Sequence, residues 1–408
     1  MVAEEWRRNF AVVWIGQMLS LMGFTFFTPL LPLFIRELGS YDTVQAVQWA
    51  GAMTAGTSLA MTLAQPIWGV MADRWGRKPM VVRSMIGSGL TTILMGLSTS
   101  AEQLLILYTL QGMVTGTVAA CTALVAASTP KRHLGSALGM LQVAIFIGAS
   151  CGPLGGGLLA DALGFRVAFY VAGTMLILGA LVVGVLVRED FTPAPARESK
   201  GFWSESRSLL AIATFPLLVA VIFLIQFGNT TMSPVISLFI ASIATDGNTA
   251  TAVGAVMAVA GAASAFSAFL AGRMGDRIGH APILVVCITG SALVYFPQAL
   301  VDEVWQLILL RMLLGIFLGG LMPSANALVA AATPRERRGA AFGITSSATA
   351  LSHAVGPIFG AAVASYWGLR AVFLATGCVY ALSAVWAGAS FRKRSTPSPT
   401  PQHLDSLR

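Results

Sequence analysis

The chain has 408 residues, of which 56% are hydrophobic and 10% are charged, and its formal net charge is +8. Soluble globular domains carry about 25% charged residues, so this composition excludes a water-soluble fold. The lysines and arginines are spread over many short segments rather than gathered on one face, which argues against a nucleic-acid partner.

Apolar segments near or above the roughly 20 residues that cross a bilayer recur along the whole chain. They lack the polar–apolar alternation of membrane β-strands, so we predict an all-α integral membrane protein with transmembrane helices. The twelve predicted spans are residues 10–35, 48–72, 80–98, 104–127, 136–162, 167–187, 209–242, 250–272, 282–301, 304–331, 340–366 and 370–391.

The spans form two sets of six around one hydrophilic connection. We predict an N-terminal six-helix bundle over residues 1–187, a cytoplasmic linker over 188–208 and a C-terminal six-helix bundle over 209–391. Residues 392–408 are rich in Ser, Thr and Pro, and we predict a disordered cytoplasmic tail there.

Basic residues are concentrated in the two tails, the linker and the loops that follow even-numbered spans. Arg36, Arg166 and Arg370 are the exceptions at the opposite face, and Arg311 lies inside the tenth span. Positive charge is retained on the cytoplasmic side, so we predict a multi-pass protein of the cell (inner, cytoplasmic) membrane with both termini in the cytoplasm. No cleavable signal peptide is predicted.

The four cysteines all fall inside predicted spans and form no CxxC pair: Cys121, Cys151, Cys287 and Cys378. We expect buried small apolar residues, with neither a disulfide nor a metal site. No cofactor is expected, and the missing Walker loop argues against ATP as the energy source. No catalytic constellation is present, so an enzyme is not expected.

A charged turn occurs twice, over residues 69–79 and again over 272–282. Its glycines permit a tight connection and close helix approach, and its aspartate can pair with a helix N-terminus. We favour a conformational latch over a simple anchor to anionic lipid, because anchoring requires neither the acid nor the glycine spacing. The candidate latch residues are Gly69, Asp73, Arg74, Gly76, Arg77 and Lys78, with a second copy at Gly272, Asp276, Arg277 and Gly279.

The fifth span carries glycines at intervals of four, which form one smooth stripe for a closely packed partner helix. Pro153 removes a backbone hydrogen bond and permits a kink. Ordinary small-residue packing and a role in conformational change are both open at this point. The pattern consists of Gly139, Gly148, Gly152, Pro153, Gly156 and Gly157.

The 69–78 turn matches G-x-x-x-D-R-x-G-R-[KR] and resembles the loop 2–3 signature of the major facilitator superfamily. The fifth-span pattern G-x8-G-x3-G-P-x2-G-G is similar to the antiporter signature of the drug:proton exporters in that superfamily. The resemblance implies a monomer with two six-helix bundles that alternate access to a site between them. It further implies a latch in the turn and a role for the fifth helix in that movement.

The chain departs from the exporter pattern at two places. Tyr108 occupies the fourth-span position where such exporters usually carry arginine, whereas Arg311 lies in the tenth span. Arg311 either snorkels to the outer face or forms a buried cation. No Asp or Glu lies at mid-membrane, so the candidates for proton coupling are His353, Asp73 and, at a helix end, Asp161.

Polar and aromatic residues at helical spacing suggest a substrate cavity. In the seventh span Gln226, Asn229, Thr230, Ser233 and Ser237 share one face. Methionine and phenylalanine suit an adaptable surface for varied apolar ligands. The other candidate lining residues are Gln17, Phe24, Thr28, Gln142, Phe146, Met322, Asn326, Thr349 and His353.

These features predict a secondary active transporter that exports amphipathic, hydrophobic or cationic small molecules by alternating access in exchange for protons. Its expected partners are a small-molecule substrate, the proton and membrane lipid. Two alternatives remain open: a lipid or glycolipid flippase of the same fold, which a cavity without fixed charge suits, and a metabolite uptake porter, which the fifth-span signature disfavours.

Overall fold

The computed structural model describes residues 2–130, 133–189, 214–244, 247–334 and 338–395, and within them it contains helices and no strand. Twelve transmembrane helices, α1 to α12, are arranged in two groups of six. In the first half α1 runs Val2–Phe27, continues as a 3-10 turn at Thr28–Leu30 and ends as Leu31–Leu38. The remaining helices of this half are α2 (Thr43–Trp75), α3 (Arg77–Gly96), α4 (Ala101–Val114 and Thr117–Ser128), α5 (Leu134–Leu163) and α6 (Phe165–Leu186).

The second half repeats this order. Its helices are α7 (Phe215–Thr231 and Ile236–Ile243), α8 (Thr249–Ile278), α9 (His280–Gln298), α10 (Val304–Ala332), α11 (Arg338–Trp367) and α12 (Leu369–Ser395). Because α12 continues to Ser395, the first residues of the predicted tail are helical, which corrects that boundary. Residues 396–408, most of the predicted linker and the predicted start of the seventh span at 209 lie outside the described residues.

Ten of the helical stretches in the described residues are long and apolar enough to cross a membrane by length and composition alone. The other two helices are α2 and α3. The α2 sequence carries glutamines, serines and threonines, and α3 begins with Arg77 and Lys78 and contains Arg83. The polarity of α2 has a structural reason, because Ser58, Thr62 and Gln65 line an internal cavity instead of facing lipid.

Three predicted spans are interrupted helices, which sequence periodicity did not predict. The break in α1 follows Phe27 at Thr28 and Pro29, and the break in α7 spans residues 232–235, which include Pro234. Proline lacks a backbone N–H, so it ends a regular hydrogen-bonding ladder. In α4 the interruption lies at Thr115 and Gly116, where Gly116 has a φ of 135°, a value that side-chain-bearing residues rarely adopt.

Two of the arginines that do not follow the positive-inside pattern have structural partners at helix ends. Arg166, at the start of α6, donates to the carbonyl oxygens of Gly96 at 2.9 Å and Ser98 at 3.0 Å. Arg370, at the start of α12, donates to the carbonyl oxygen of Ala299 at 3.1 Å and to the Asp302 carboxylate at 2.6 Å. Each guanidinium therefore satisfies carbonyls at a helix C-terminus.

The two faces of the molecule are defined by the loops that they carry. The inner face carries the chain ends and the turns α2–α3 and α8–α9, and the outer face carries the turns α5–α6 and α11–α12. The two halves meet mainly through α5 against α8 and α2 against α11, with smaller contacts from the outer part of α1 to α7 and α8.

The outer ends of these four helices are in close contact. The carbonyl oxygen of Pro357 in α11 lies 3.0 Å from where a methyl group on Gly51 of α2 would sit, and the carbonyl oxygen of Pro153 in α5 lies against Gly254 of α8. Nearer the inner face each of the four helices carries a glycine with no described atom within 4 Å of that position: Gly69, Gly139, Gly272 and Gly343. The molecule is therefore closed at the outer face and open at the inner face.

Candidate functional site

The candidate site is a central cavity between the two halves, formed by two adjoining spaces that share Met322 and Asn326 of α10. The first, of about 390 Å³, is lined mainly by α2 and α11 with Ile222 of α7. The second, of about 760 Å³, is lined by α5, α7, α8, α10 and Tyr380 of α12. Cavities of this size fit drug-sized ligands.

The cavity wall is apolar with a small number of uncharged polar groups. The first space is lined by Ser58, Thr62, Gln65, Asn326, Thr345, Ser346, Thr349 and His353, and the second by Gln142, Gln226, Asn229, Ser264 and Asn326. None of the residues that line these two spaces is Asp, Glu, Lys or Arg. A ligand here would be bound by apolar contact and by amide and hydroxyl hydrogen bonds.

His353 joins the two spaces. Its Nε2 lies 3.4 Å from the Nε2 of Gln226, so an imidazole of α11 and an amide of α7 share one polar contact on the cavity wall. The imidazole can donate or accept according to its tautomer. Among the residues that line the two spaces, His353 is the one whose side-chain type ordinarily titrates near neutral pH.

Eight of the fourteen residues that the sequence suggested for the cavity lie on its wall: Gln142, Phe146, Gln226, Asn229, Met322, Asn326, Thr349 and His353. Gln17, Phe24 and Thr28 are not among the lining residues of either space, which corrects that part of the prediction. Gln17 is fully buried, and the Thr28 hydroxyl donates to the carbonyl of Phe24 at 2.6 Å. The Phe24 ring packs edge-on against Phe27 at 6.1 Å between ring centroids.

Two hydroxyls of the predicted polar face of α7 are already used in packing. Thr230 donates to the carbonyl oxygen of Ser352 in α11 at 3.0 Å, and Ser237 donates to the carbonyl oxygen of Pro29 in α1. Only Gln226 and Asn229 of that face line the cavity. A shared helix face was therefore a poor guide to which polar side chains remain available for a ligand.

The glycine stripe of α5 packs against α1 within the same half. Methyl groups added at Gly148 and Gly152 would meet backbone oxygens of Met18 and Met22 at 2.9 and 2.7 Å, and one at Gly156 would meet the carbonyl of Phe26. The Thr25 hydroxyl donates to the carbonyl of Gly148 at 3.0 Å across the same contact. This packing explains the spacing of the stripe without reference to movement between the halves.

The second half repeats that contact with a less complete glycine pattern. Gly356 lies against Thr230 and Gly360 against the carbonyl of Thr231, so α11 packs on α7 as α5 packs on α1. Two residues of the fifth-span pattern have a different environment. Gly157 and Pro153 lie against Ala250 and Gly254 of α8, across the boundary between the halves.

The turn between α2 and α3 is closed by Gly76, whose φ is 97°. Gly69 has no described neighbour within 4 Å of its methyl position, so its face of α2 is open in this state. The side chain of Asp73 lies outside the described part, and its predicted role in a latch stays a prediction. In the second copy Gly279 has a φ of 94°, and Asp276 lies 3.5 Å from His280.

Sequence reasoning missed Glu189, which follows α6 at the start of the predicted linker. Its carboxylate accepts hydrogen bonds from the backbone N–H groups of Arg77 at 2.9 Å and Lys78 at 2.7 Å, the first residues of α3. Asn9 of α1 pairs with the backbone of Arg188 in both directions, at 2.8 and 3.2 Å. The sequence did contain a signal for this contact, because an acidic residue directly follows a span that ends beside a basic turn.

Arg311 is a buried cation: the side chain is 7% exposed and points into the second half. Its guanidinium lies 5.9 Å from the ring of Tyr295 and 5.8 Å from the ring of Phe373. Within the described residues its Nε and Nη2 atoms have no hydrogen-bond partner. Of the two sequence alternatives, the structure favours the buried cation over snorkelling to the outer face. Tyr108, the departure in α4, is buried against Phe27.

The cysteines divide into two pairs. Cys121 and Cys287 are buried as expected, whereas Cys151 and Cys378 are exposed on the surface of the helical bundle, so their predicted burial was wrong. All four are free thiols. In the described part of the chain no group of three or more His, Cys, Asp or Glu residues is placed to hold a metal ion.

Comparison with known proteins gives a consistent assignment. The model of the Major Facilitator Superfamily matches residues 13–244 and 218–406. Multidrug resistance protein MdtG of Escherichia fergusonii is 35% identical over 400 residues, which cover 97% of each chain. MdtG of Salmonella typhimurium is 35% identical over 398 residues, which cover 96% of this chain and 98% of the relative.

Solved structures share the fold at low sequence identity. A bacterial homolog of the human lysosomal transporter Spinster, in an inward-facing and unoccupied conformation, superposes with a TM-score of 0.79 at 16% identity and covers 97% of this chain and 99% of its own. A structure of the nucleoside transporter NupG has a TM-score of 0.79 at 14% identity, with 94% of this chain and 100% of its own covered. At such identities the likeness describes the fold alone.

Proposed function

The chain belongs to the major facilitator superfamily, and we propose that it exports amphipathic small molecules across the cytoplasmic membrane by alternating access, in exchange for protons. The observation that carries this proposal is the central cavity, which lies between the two halves, opens toward the inner face and is sealed at the outer face by α5–α8 and α2–α11 contacts. The relatives at 35% identity are named multidrug resistance proteins.

Orientation decides which side of the membrane has access to the cavity in this state. The excess of Lys and Arg on the inner face supports a cytoplasmic location for that face. A molecule from the cytoplasm or the inner leaflet would then have direct entry to the cavity in the state described here. A rocking movement of one half against the other would expose the same site to the outside.

The lining of the cavity supports a substrate class. Its apolar surface, with methionine, phenylalanine and uncharged amides, suits ligands of varied shape that carry a few hydrogen-bonding groups. No carboxylate lines either space, so the wall offers no counter-ion for a cation. We therefore propose neutral amphipathic compounds as the preferred class, narrower than the hydrophobic or cationic molecules expected from the sequence.

Transport into inverted membrane vesicles tests this function. In vesicles energised by respiration we expect a neutral amphipathic dye to accumulate several-fold faster than in vesicles without the protein, and an uncoupler should abolish the difference. Accumulation that ignores both the proton gradient and the uncoupler would contradict proton exchange. Movement of a fluorescent lipid between leaflets without any dye transport would favour a flippase instead.

His353→Gln tests the route of the proton. Glutamine keeps a hydrogen-bonding group beside Gln226 but cannot titrate near neutral pH. We expect dye-driven proton release from the purified protein in liposomes to fall at least tenfold, while dye binding stays within twofold of wild type. His133→Gln is the matched control, because that imidazole stacks on Trp6 with ring centroids 5.1 Å apart, outside the cavity.

Proton release that persists in His353→Gln would show that His353 is a structural residue of the cavity wall. The proton site would then have to lie elsewhere, with Asp73 as the next candidate. If dye binding and proton release are both lost, His353 belongs to the substrate site. Asp73 would then be tested next as the coupling residue.

A further inference from the structure

One turn geometry occurs four times in the part of the chain that the structure describes, twice at each face. Each copy is a single glycine between two helices, at Gly76, Gly164, Gly279 and Gly368, with φ values of 97°, 89°, 94° and 86°. Three residues before each glycine stands a short polar side chain, in order Asp73, Asp161, Asp276 and Ser365. The copies at Gly164 and Gly368 lie at the closed outer face. They therefore show which contacts the polar residue makes when that face is closed.

At the outer end of α5 the polar residue bonds to the opposite half. Asp161 Oδ1 accepts from the backbone N–H of Ala250 at 3.1 Å, and Oδ2 accepts from that of Thr251 at 2.7 Å. Both N–H groups belong to the first turn of α8, whose own N-cap residue, Asn248, makes no side-chain capping bond. The cap of α8 is therefore supplied by a carboxylate from the other half, where it also faces the positive end of the helix dipole.

The fourth copy makes the corresponding contact on the other side of the molecule. Ser365, near the end of α11, accepts a hydrogen bond at 3.2 Å from the side-chain amide of Gln48, near the start of α2. Both outer contacts thus join the end of a helix in one half to the beginning of the helix that it packs against in the other half, α5 to α8 and α11 to α2. Because the Asp161 carboxyl group accepts two backbone N–H groups whereas Ser365 accepts one side-chain amide, the Asp161 contact is the stronger of the two.

We propose that Asp161 is an outer latch, a positioning residue that holds the transporter in the state open to the inner face. Opening of the outer face must separate α5 from α8, so both bonds break and the first turn of α8 loses its cap. The latch thus sets the balance between the two states and does not touch the substrate. The inference deepens the proposed function by naming a residue that controls alternating access.

Spin-label distances in the purified protein without substrate test the latch. One label pair reports the outer ends of α4 and α10, at Glu102→Cys and Leu300→Cys, and a second reports their inner ends, at Ala127→Cys and Pro334→Cys. These four side chains are exposed. The background carries alanine at the two exposed cysteines, Cys151 and Cys378.

We expect Asp161→Ala to raise the fraction of long outer distances at least threefold and to raise the fraction of short inner distances in parallel. Asp161→Asn keeps the shape and one acceptor oxygen, so it should give a smaller shift in the same direction. The reciprocal inner change separates a latch from local fraying, because fraying of α8 alone would leave the inner pair unchanged.

Asp42→Ala is the matched control. Asp42 is also a carboxylate at the outer face that caps a helix, but it accepts from Gln45 N at 2.7 Å within its own half. It should leave both distance distributions as in wild type. Unchanged distributions in Asp161→Ala, or an equal shift in Asp42→Ala, would overturn the proposal. Since no substrate or proton gradient is used, a wrong assignment of the cargo or the coupling ion would not affect this result.

Discussion

Gly157→Ala is expected to reduce transport at least tenfold while the protein still folds and inserts. The added methyl group would meet the carbonyl carbon of Ala250 at 2.7 Å and the Cα of Thr251 at 3.0 Å, both backbone atoms of α8 in the opposite half. Overpacking typically costs about 1–3 kcal/mol. The clash exists only while the outer face is closed, so the cost falls on one of the two states and changes their ratio about 5- to 150-fold.

Initial uptake of the dye into inverted vesicles, at matched amounts of protein, measures this effect. The spin-label pairs described above should show longer outer and shorter inner distances in the same variant. Gly388→Ala in α12 is the control, since no described atom lies within 4 Å of its methyl position. Wild-type uptake in Gly157→Ala would mean that α5 and α8 can separate slightly at the outer face without a change in the transport cycle.

Gly156→Ala, one residue away, is expected to act on folding instead. Its methyl group would meet the carbonyl of Phe26, with the carbonyl carbon at 2.7 Å and the Cα at 3.1 Å. This contact joins α5 to α1 inside the first half, so it persists in both states of the cycle. Overpacking again costs about 1–3 kcal/mol, and the neighbour is rigid backbone that cannot move away. The cost therefore lowers the stability of the whole fold.

Size-exclusion chromatography of the detergent-solubilised protein measures the outcome. We expect the yield of monodisperse Gly156→Ala to fall at least fivefold and its thermal midpoint to decrease, whereas Gly157→Ala should stay within twofold of wild type in yield. A normal yield and midpoint for Gly156→Ala would show that α1 and α5 can shift apart in the first half at little cost.

The order and number of the transmembrane helices were predictable because hydropathy reports directly on burial in lipid. The interruptions were not. Gly116, where α4 breaks, is one of many glycines in the predicted spans, and its φ of 135° is known only from the structure. A proline gives a clearer signal, yet Pro153, Pro323 and Pro357 lie inside continuous helices whereas Pro234 lies in a break.

The candidate site was predictable in its chemistry but not in its partners. The glycine spacing of α5 predicts a close neighbour, but the identity of that neighbour, α1 for Gly156 and α8 for Gly157, depends on the packing of the whole bundle. The same limit applies to hydroxyls. Thr230 and Ser237 can satisfy their hydrogen bonds on a neighbouring backbone, whereas the longer amides Gln226 and Asn229 extend to the cavity wall.

The residues at the end of the first half form hydrogen bonds with other helices of that half. Asn9 binds the backbone of Arg188, and Glu189 caps α3, so the residues that directly follow α6 are joined to both α1 and α3. The end of the first half is thus held by residues of that half. A chain break placed after Glu189 would leave each half with all of its own internal contacts described here.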